Sequence, residues 1–430
     1  MSSYLFCSTP VHGHVSPMLA LAAALVGRGH EVTMLTGSRF EERVRAAGAR
    51  FVSLTGIADF DDRDVESYLP DRGRYRGLAQ AQYDIQTIFV RPSAQQFRSV
   101  ESLLQSQEFD AVLVDGAFAG VLPLLSGSAP RPPLLGVGVT PLTQLSTDVA
   151  PGGMALPPSA TPLGRVRNRA LNTLAKKVFF RDTQRVAEGI MAELGAPPLQ
   201  IFAMDLSREF DRFLQLGPAT LEYPRRDLSK NLEFVGVLPG VAGSTPTPDW
   251  WHRLDGSRPV VHVTQGTIDN HDFGRLIRPT IDGLAGSPVT VVVSLGGRSV
   301  DELGAVPSNV LVAPYFDYEA LLPLTDVVIT NGGFGGVLQA LRHGIPVVVA
   351  GDTEDKPEVA ARIAWAGVGV NLRTGTPSSS AIVSAVDTIL ESPRFANRAH
   401  EMQQAIGGYA TIEIVEAQLA DAIERHAAGQ

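Results

Sequence analysis

Cysteine is almost missing from this 430-residue sequence, and the single Cys7 excludes an intramolecular disulfide. We therefore expect a reducing, cytoplasmic setting, with Cys7 as a small core residue of a strand. No apolar run reaches the roughly 20 residues of a membrane-spanning helix, so we expect no stable membrane insertion. The first residues lack the basic segment of a secretory signal and already have the pattern of a strand.

Basic charge is also scarce, because 36 Lys and Arg face 45 Asp and Glu, for a net charge of −9. Binding a nucleic acid backbone requires a basic face, so we expect no nucleic acid partner. The composition, 44% apolar and 19% charged, is typical of a globular protein. The length predicts two domains. We expect the protein to be a monomer or a homodimer.

Two glycine-rich phosphate motifs are missing as well. No G-x-G-x-x-G follows the first predicted strand, and G-x-x-x-x-G-K-[ST] is absent. These absences disfavour a dinucleotide-dependent oxidoreductase and a P-loop enzyme. A different glycine cluster, "NGGFGG", begins at Asn331 directly after the apolar run "DVVIT". An amphipathic pattern follows, so we expect a strand-to-helix turn whose N–H groups and helix dipole bind a phosphate.

Short β-rich runs alternate with helical patterns in both halves of the chain, which predicts parallel, doubly wound α/β sheets. In the first half, we expect a helix that starts near Ser16 and Pro17. A stretch rich in Pro, Gly, Ser and Thr predicts an interdomain linker at residues 226–257. An irregular Pro/Gly loop at Ala150–Leu163 is expected either to cover a substrate cleft or to be disordered.

Two histidines, His12 and His14, directly follow the first predicted strand, and Asp115 ends another predicted strand of the same half. Asp110 begins that strand and belongs at the far edge. Ligands of open α/β sheets bind at the carboxyl ends of strands, where an imidazole held by a carboxylate can act as a general base. Two alternatives remain: a histidine that only caps a turn, and an H-x-H zinc site, which lacks a third ligand at close spacing.

Gly266 and Thr267 follow a strand of the second half. A glycine there permits close approach of a phosphate, and the threonine hydroxyl can donate to it. Together with Asn331, Gly332 and Gly333, these residues predict a clamp for a diphosphate.

Tyr315 also follows a strand and predicts either a stacking surface for a nucleobase or core packing. Asp355 and Lys356 come after the next apolar run, "IPVVVAG", and therefore lie beside the glycine turn. A polyhydroxylated group next to a diphosphate indicates a nucleotide sugar.

These motifs resemble the family 1 glycosyltransferases of the GT-B fold, especially bacterial enzymes that glycosylate natural products such as macrolides. "GHVSP" is similar to their N-terminal GHxxP motif, and the fifty-odd residues from Tyr315 resemble their donor-binding signature. The resemblance implies two Rossmann-like domains facing across a cleft. Residues 1–225 would bind the acceptor and residues 258–405 the nucleotide-sugar donor, with a helix at 406–430 packing back on the first domain.

The resemblance also implies an inverting transfer that requires no metal or other cofactor and uses a UDP- or TDP-sugar, with glucose from UDP-glucose as our expectation. It implies that His14 is the base, that Asp115 orients it and that His12 is a neighbour on the acceptor side. The implied donor residues are Thr267, Tyr315, Asn331, Gly332, Gly333, Gln339, Asp355 and Lys356.

Four positions depart from the family pattern. Asn331 stands where His is usual, Gly336 where a small hydroxyl residue is usual, Gln339 where Glu takes the ribose hydroxyls, and Lys356 where Gln is usual. We expect Lys356 to restore part of the charge that Asn331 lacks. These departures leave the nucleotide-sugar interpretation intact.

The acceptor is expected against the Ala150–Leu163 loop and the aromatic side chains of Tyr83, Phe89 and Phe118, where a small apolar natural product such as a polyketide antibiotic fits. Two alternatives share the fold: a sugar-nucleotide epimerase and a non-catalytic nucleotide-sugar-binding protein. Because a pure binder needs no base–acid pair, His14 and Asp115 favour an enzyme.

Overall fold

A computed structural model describes residues 1–240, 245–267 and 270–429, which form two α/β units. The first contains a seven-stranded, fully parallel sheet of order β3-β2-β1-β4-β5-β6-β7. Its strands are β1 Ser3–Cys7, β2 Glu31–Thr36, β3 Arg50–Ser53, β4 Ala111–Asp115, β5 Leu134–Gly138, β6 Arg212–Leu216 and β7 Leu232–Gly236.

Helices cover both faces of this first sheet. They are α1 His12–Gly27, α2 Glu41–Ala46, α3 Val65–Tyr68, α4 Gly77–Ile85, α5 Ser93–Ser106, α6 Leu122–Ser126, α7 Pro162–Leu174 and α8 Arg181–Glu193. Two single π-turns, at Gln86–Val90 and Ala175–Phe179, follow α4 and α7.

The second unit holds a six-stranded parallel sheet of order β10-β9-β8-β11-β12-β13. Its strands are β8 Val260–Thr264, β9 Thr290–Ser294, β10 Val310–Ala313, β11 Val327–Thr330, β12 Val347–Val349 and β13 Gly369–Asn371. Its helices, followed by the C-terminal one, are α9 Ile277–Gly283, α10 Tyr318–Leu321, α11 Phe334–Arg342, α12 Lys356–Ala366, α13 Ser379–Glu391, α14 Pro393–Gly407 and α15 Thr411–Gly429. The prediction of doubly wound parallel sheets is confirmed.

The near-continuous apolar strands follow from burial on both faces. In β1, Tyr4 and Phe6 pack into one hydrophobic core, while Leu5 and Cys7 pack into the core on the opposite face. Successive side chains of a strand point to opposite faces, so a strand covered on both sides must be apolar at every position. Cys7 is fully buried, as expected of a small core residue.

The start of the first helix differs from the prediction. Helix α1 begins at His12, four residues before Ser16, and carries Pro17 inside it. The backbone N–H of His12 donates to the Asp62 carboxylate at 2.6 Å. This cap comes from a distant loop, so the local sequence could not show it, and it places both histidines in the first turn of the helix.

The predicted linker, residues 226–257, contains β7, the edge strand of the first sheet, and residues 241–244 lie outside the described part of the chain. Composition alone could not separate this strand from the Pro-rich residues after it. The tail helix α15 contacts the first unit, because Arg212 of β6 donates to Gln418 at 3.1 Å and pairs with Asp421. We therefore propose that the first domain extends through β7 and is completed by α15.

Candidate active site

His14 and Asp115 meet at the carboxyl edge of the first sheet. β1 and β4 are neighbours at the point where the strand order reverses, which is where open α/β sheets bind ligands. His14 follows β1, Asp115 ends β4, and His14 Nδ1 lies 2.8 Å from Asp115 Oδ1. The carboxylate also accepts the backbone N–H groups of Thr9 at 3.2 Å and Ala117 at 3.1 Å. These bonds fix a fully buried acid against the imidazole.

The charge state of His14 follows from its neighbours. Burial lowers the pKa of His14, but the charge and hydrogen bond of Asp115, together with the charges of Asp355 and Glu354 from the second unit, outweigh burial. The net pKa of His14 is therefore raised above 6.5. Because Asp115 accepts from Nδ1–H, the neutral ring carries its lone pair on Nε2 and can take a proton there.

His12 has a different environment from His14. Its Nδ1 lies 3.3 Å from an Arg43 Nη1, and its pKa is lowered to about 4 by burial and by the nearby charges of Arg43 and Arg39. His12 is therefore neutral near pH 7, and among the described residues no carboxylate is bonded to its ring as Asp115 is to His14. The structure thus distinguishes two histidines that the sequence presents as a pair.

The glycine turn after β11 has the geometry expected of a phosphate-binding loop. Gly332 adopts φ +93°, and a Cβ there would lie 2.7 Å from Val349, so only glycine fits. A Cβ on Gly333, Gly335 or Gly336 would meet no atom within 4 Å. The first turn of α11 is therefore open to a ligand, with its N–H groups and dipole directed toward it.

The strand ends of β8 and β11 bring the two parts of the predicted clamp together. These strands are neighbours at the strand-order reversal of the second sheet. The Asn331 amide donates to the Gln265 carbonyl at 2.6 Å, and a Cβ on Gly266 would lie 3.8 Å from that amide. Thr267 follows directly at the same edge. Asn331 therefore already uses one donor on the protein itself.

Asp355 and Lys356 begin α12 beside the glycine turn, as expected. Lys356 is buried, a Cβ on Gly351 would lie 2.7 Å from Lys356 Cβ, and Nζ donates to Thr353 at 3.0 Å and Glu354 at 2.9 Å. Burial, reinforced by Glu354, raises the pKa of Asp355 to about 6. The charge of Lys356 is therefore partly neutralised by Glu354.

Tyr315 lies at the end of β10 with 44% of its surface exposed. A Cβ on Gly297 would come within 2.8 Å of the ring, so a glycine at φ +95° lets the phenol lie against the backbone. A cavity of about 510 Å³ opens beside it, lined by Thr245, Pro246, Pro248 and residues 312–315. The Tyr315 phenol lies close enough to Arg39 and Arg43 of the first unit to interact electrostatically with both guanidinium groups, so it faces the cleft.

Gln339, a predicted donor residue, is hydrogen-bonded to the protein through both ends of its amide. Its amide nitrogen donates to the Leu238 carbonyl at 3.1 Å, and its oxygen accepts from Arg342 at 3.0 Å. These bonds use one of its two N–H donors and one of the two lone pairs of its oxygen.

The three aromatic side chains predicted to bind the acceptor lie in different surroundings. The Phe89 ring lies 5.3 Å from the His14 ring, centroid to centroid, and belongs to the site. Tyr83 stacks on Tyr75 at 4.9 Å. Phe118 is fully buried in the core, so its assignment to the acceptor is wrong. The turn closed by Phe118 N–H and the Asp115 carbonyl, at 2.8 Å, carries the ring inward.

A buried ion cluster between the two units was missed by sequence reasoning. Arg362 of α12 donates to Glu222 at 2.9 Å and to Glu358 at 2.7 Å, and Glu358 accepts two backbone N–H groups of the Ala150–Leu163 loop. The spacing of Glu358 and Arg362, i and i+4 on a helix, was the available signal. It predicts a surface pair equally well, so it could not show the burial.

Within residues 1–240, 245–267 and 270–429, no group of three or more His, Cys, Asp or Glu side chains is arranged to hold a metal ion. None of the helices in these ranges is both long and apolar enough to cross a bilayer.

Two family models match the chain. Residues 12–125 match the glycosyltransferase family 28 N-terminal domain, and residues 279–418 match the C-terminal domain of erythromycin biosynthesis protein CIII-like proteins. These ranges contain His14 and Asp115 in the first match and the glycine turn and α12 in the second.

Relatives match over nearly the whole length. The chain is 39% identical to 4'-demethylrebeccamycin synthase of Lentzea aerocolonigenes, covering 91% of this chain and 92% of that protein. It is 34% identical to UDP-glucosyltransferase A1 of Starmerella bombicola, covering 96% and 90%. The solved glycosyltransferase of kitacinnamycin has the same fold, with a TM-score of 0.72 at 24% identity over 97% of this chain and 99% of that one. The chain therefore belongs to the family 1 glycosyltransferases of the GT-B fold and is itself a glycosyltransferase.

Proposed function

We propose that this enzyme transfers glucose from UDP-glucose, with inversion and without a metal, to a hydroxyl of a small apolar natural product. The relatives' names, 4'-demethylrebeccamycin synthase and UDP-glucosyltransferase A1, support a natural-product acceptor and a UDP-glucose donor. A TDP-sugar is the alternative donor. We further propose that the enzyme acts in the cytoplasm as a monomer or homodimer.

His14 is the general base of this mechanism. Its neutral Nε2 removes the proton from the acceptor hydroxyl as that oxygen attacks the anomeric carbon from the face opposite the diphosphate. The new C–O bond forms as the bond to the diphosphate breaks, which inverts the anomeric centre. Asp115, 2.8 Å from Nδ1, holds the required tautomer and stabilises the imidazolium that results.

The leaving diphosphate is stabilised by groups of the second unit. The open first turn of α11 at Gly333 supplies backbone N–H groups and the positive end of the helix dipole. Thr267 and Asn331 add hydrogen-bond donors, and Tyr315 stacks on the base. Asp355 and Lys356 would meet the sugar hydroxyls, and Gln339 would meet the ribose.

The observation that carries this proposal is the buried His14–Asp115 pair on the cleft wall that faces Asp355. The direct test incubates the enzyme with UDP-glucose or TDP-glucose and a panel of hydroxylated natural products, with mass spectrometry as the readout. We expect products heavier by one hexose with UDP-glucose. A thermal-shift panel of nucleotide sugars should select the same donor, because a bound ligand raises apparent stability.

Two outcomes would contradict the proposal. An isomerised UDP-sugar formed without any acceptor would indicate an epimerase. Nucleotide-sugar binding without hexose transfer, across the whole panel, would indicate a non-catalytic binder.

A further inference from the structure

The loop at residues 150–161 lies between β5 and α7 of the first unit. Two of its backbone N–H groups are bound by a side chain of the second unit. The backbone N–H groups of Gly153 and Ala155 both donate to Glu358 Oε1, at 2.9 Å and 2.7 Å. Gly153 has φ +92°, and Ala155 has φ +51°, which a residue with a side chain rarely adopts. A strained conformation persists only where its surroundings hold it, and here the Glu358 carboxylate does so.

Glu358 is held from behind by the buried ion cluster. Its second oxygen accepts from Arg362 at 2.7 Å, and the Arg362 Nε donates to Glu222 of the first unit at 2.9 Å. Arg362 is only 2% exposed and Glu358 8%. Because the Glu358 carboxylate is buried and bonded to Arg362 of the same helix, its orientation is fixed relative to α12. The carboxylate therefore moves with that helix.

Helix α12 is also the helix of the donor site. It begins directly after Asp355, and Glu358 lies in its first turn, two residues after Lys356. A group that binds Asp355 and Lys356 therefore sets the position of the carboxylate that holds the loop. The His14–Phe89 side of the cleft lies in the same unit as this loop.

We propose that Glu358 is a positioning residue that couples the donor site to the acceptor loop. The nucleotide sugar fixes the start of α12, Glu358 then orders residues 150–161, and the ordered loop completes the pocket for the acceptor. The donor half of this inference rests on the proposed function; the contact between Glu358 and the loop does not.

The test combines hydrogen–deuterium exchange of the peptide 150–161 with steady-state kinetics. In the wild type, we expect UDP to slow exchange in this peptide. In Glu358→Ala, the loss of a charged acceptor should accelerate exchange about tenfold and raise the acceptor KM about tenfold, with the Kd for UDP unchanged. Glu358→Asp keeps the charge on a shorter side chain, so we expect an intermediate effect on exchange and on the acceptor KM. This variant replaces Glu358→Ala in the test if the alanine variant is unstable.

Asp211→Ala is the control variant. It removes a carboxylate that pairs with Arg131 and accepts the Leu134 N–H at the amino end of β5, at the sheet edge opposite the His14–Asp115 pair. We therefore expect a lower melting temperature with exchange and acceptor KM like the wild type. A general loss of stability would instead move all three variants together.

The outcomes separate the parts of the inference. Unchanged exchange in both Glu358 variants would overturn the contact itself. Faster exchange in the variants, with wild-type exchange that is insensitive to bound UDP, would overturn the coupling. If UDP does not bind at all, the proposed function fails, while the variant comparison still reports on the contact.

Discussion

The two sides of the cleft differ in how ready they are for a ligand. On the first domain, His14 and Asp115 are 2.8 Å apart, and the carboxylate is held by two backbone N–H groups. On the second, Lys356 is bonded to Glu354, and the Asn331 amide is bonded to the Gln265 carbonyl. The base is arranged in advance, whereas these two donor-side side chains are bonded to the protein itself.

The comparison shows which property each side controls. A preorganised base needs no reorganisation during the reaction, so changes there should affect turnover. Donor residues bind the ligand in place of the protein or water, and the net gain per hydrogen bond is only about 0.5–1.5 kcal/mol. Changes there should therefore affect affinity.

The strongest test of this division is His14→Ala. Removing the base should lower kcat by about 10²- to 10⁴-fold, because general base catalysis contributes that much. The Kd for UDP, measured by calorimetry, should stay the same. His12→Ala is the matched control, since the ring of this histidine lies beside Arg43 and its pKa is lowered. An equal loss of kcat in the control would show that the base is misassigned.

Asp115→Asn should have the next largest effect and should also change the pH profile. The carboxylate raises the pKa of His14 above 6.5, and the base is active only when neutral, so the wild-type rate should fall below that raised pKa. Without the carboxylate the pKa falls, and the acid limb should move to lower pH while the maximal rate drops. The shift of the acid limb is measured from a profile of log(kcat/KM) between about pH 5 and pH 9, the range in which an imidazole titrates. If the acid limb does not move in this variant, the ionisation that limits the rate is not that of His14.

Tyr315→Ala should weaken donor binding without a comparable loss of kcat. Stacking of a base on an aromatic ring contributes about 1–3 kcal/mol, so the Kd for UDP should rise by about 5- to 150-fold. Tyr315→Phe retains the ring and should bind UDP nearly as the wild type does. If both variants bind UDP normally, the base is held elsewhere.

The smallest expected effect is the pH dependence of sugar recognition. The pKa of Asp355 is raised to about 6, so its carboxylate accepts sugar hydroxyls above that pH and becomes protonated below it. The advantage of UDP-glucose over UDP should therefore decrease by up to about tenfold as pH falls through 6. The ratio of the two Kd values measures this, and Asp355→Asn should abolish its pH dependence.

Much of the fold and the chemistry could be predicted from local pattern. The strands β1, β4, β8 and β11 are apolar runs, and a residue at a strand's carboxyl end must lie at the edge of the sheet where ligands bind. That rule placed His14, Asp115 and Asn331 at the carboxyl edges of the two sheets, where the structure has them. It failed for Phe118, because a backbone turn after β4 sends the ring into the core.

The sequence by itself determined the alternating α/β elements, the glycine turn and the residues available at the strand ends, because periodicity and conformational preference are local properties. Only the tertiary structure decided which polar groups are paired. Asp62 caps His12 from 50 residues away, and Glu358 holds a loop more than 200 residues earlier in the chain. Such contacts depend on the packing of separate elements, and packing sets the burial and charge that distinguish His14 from His12.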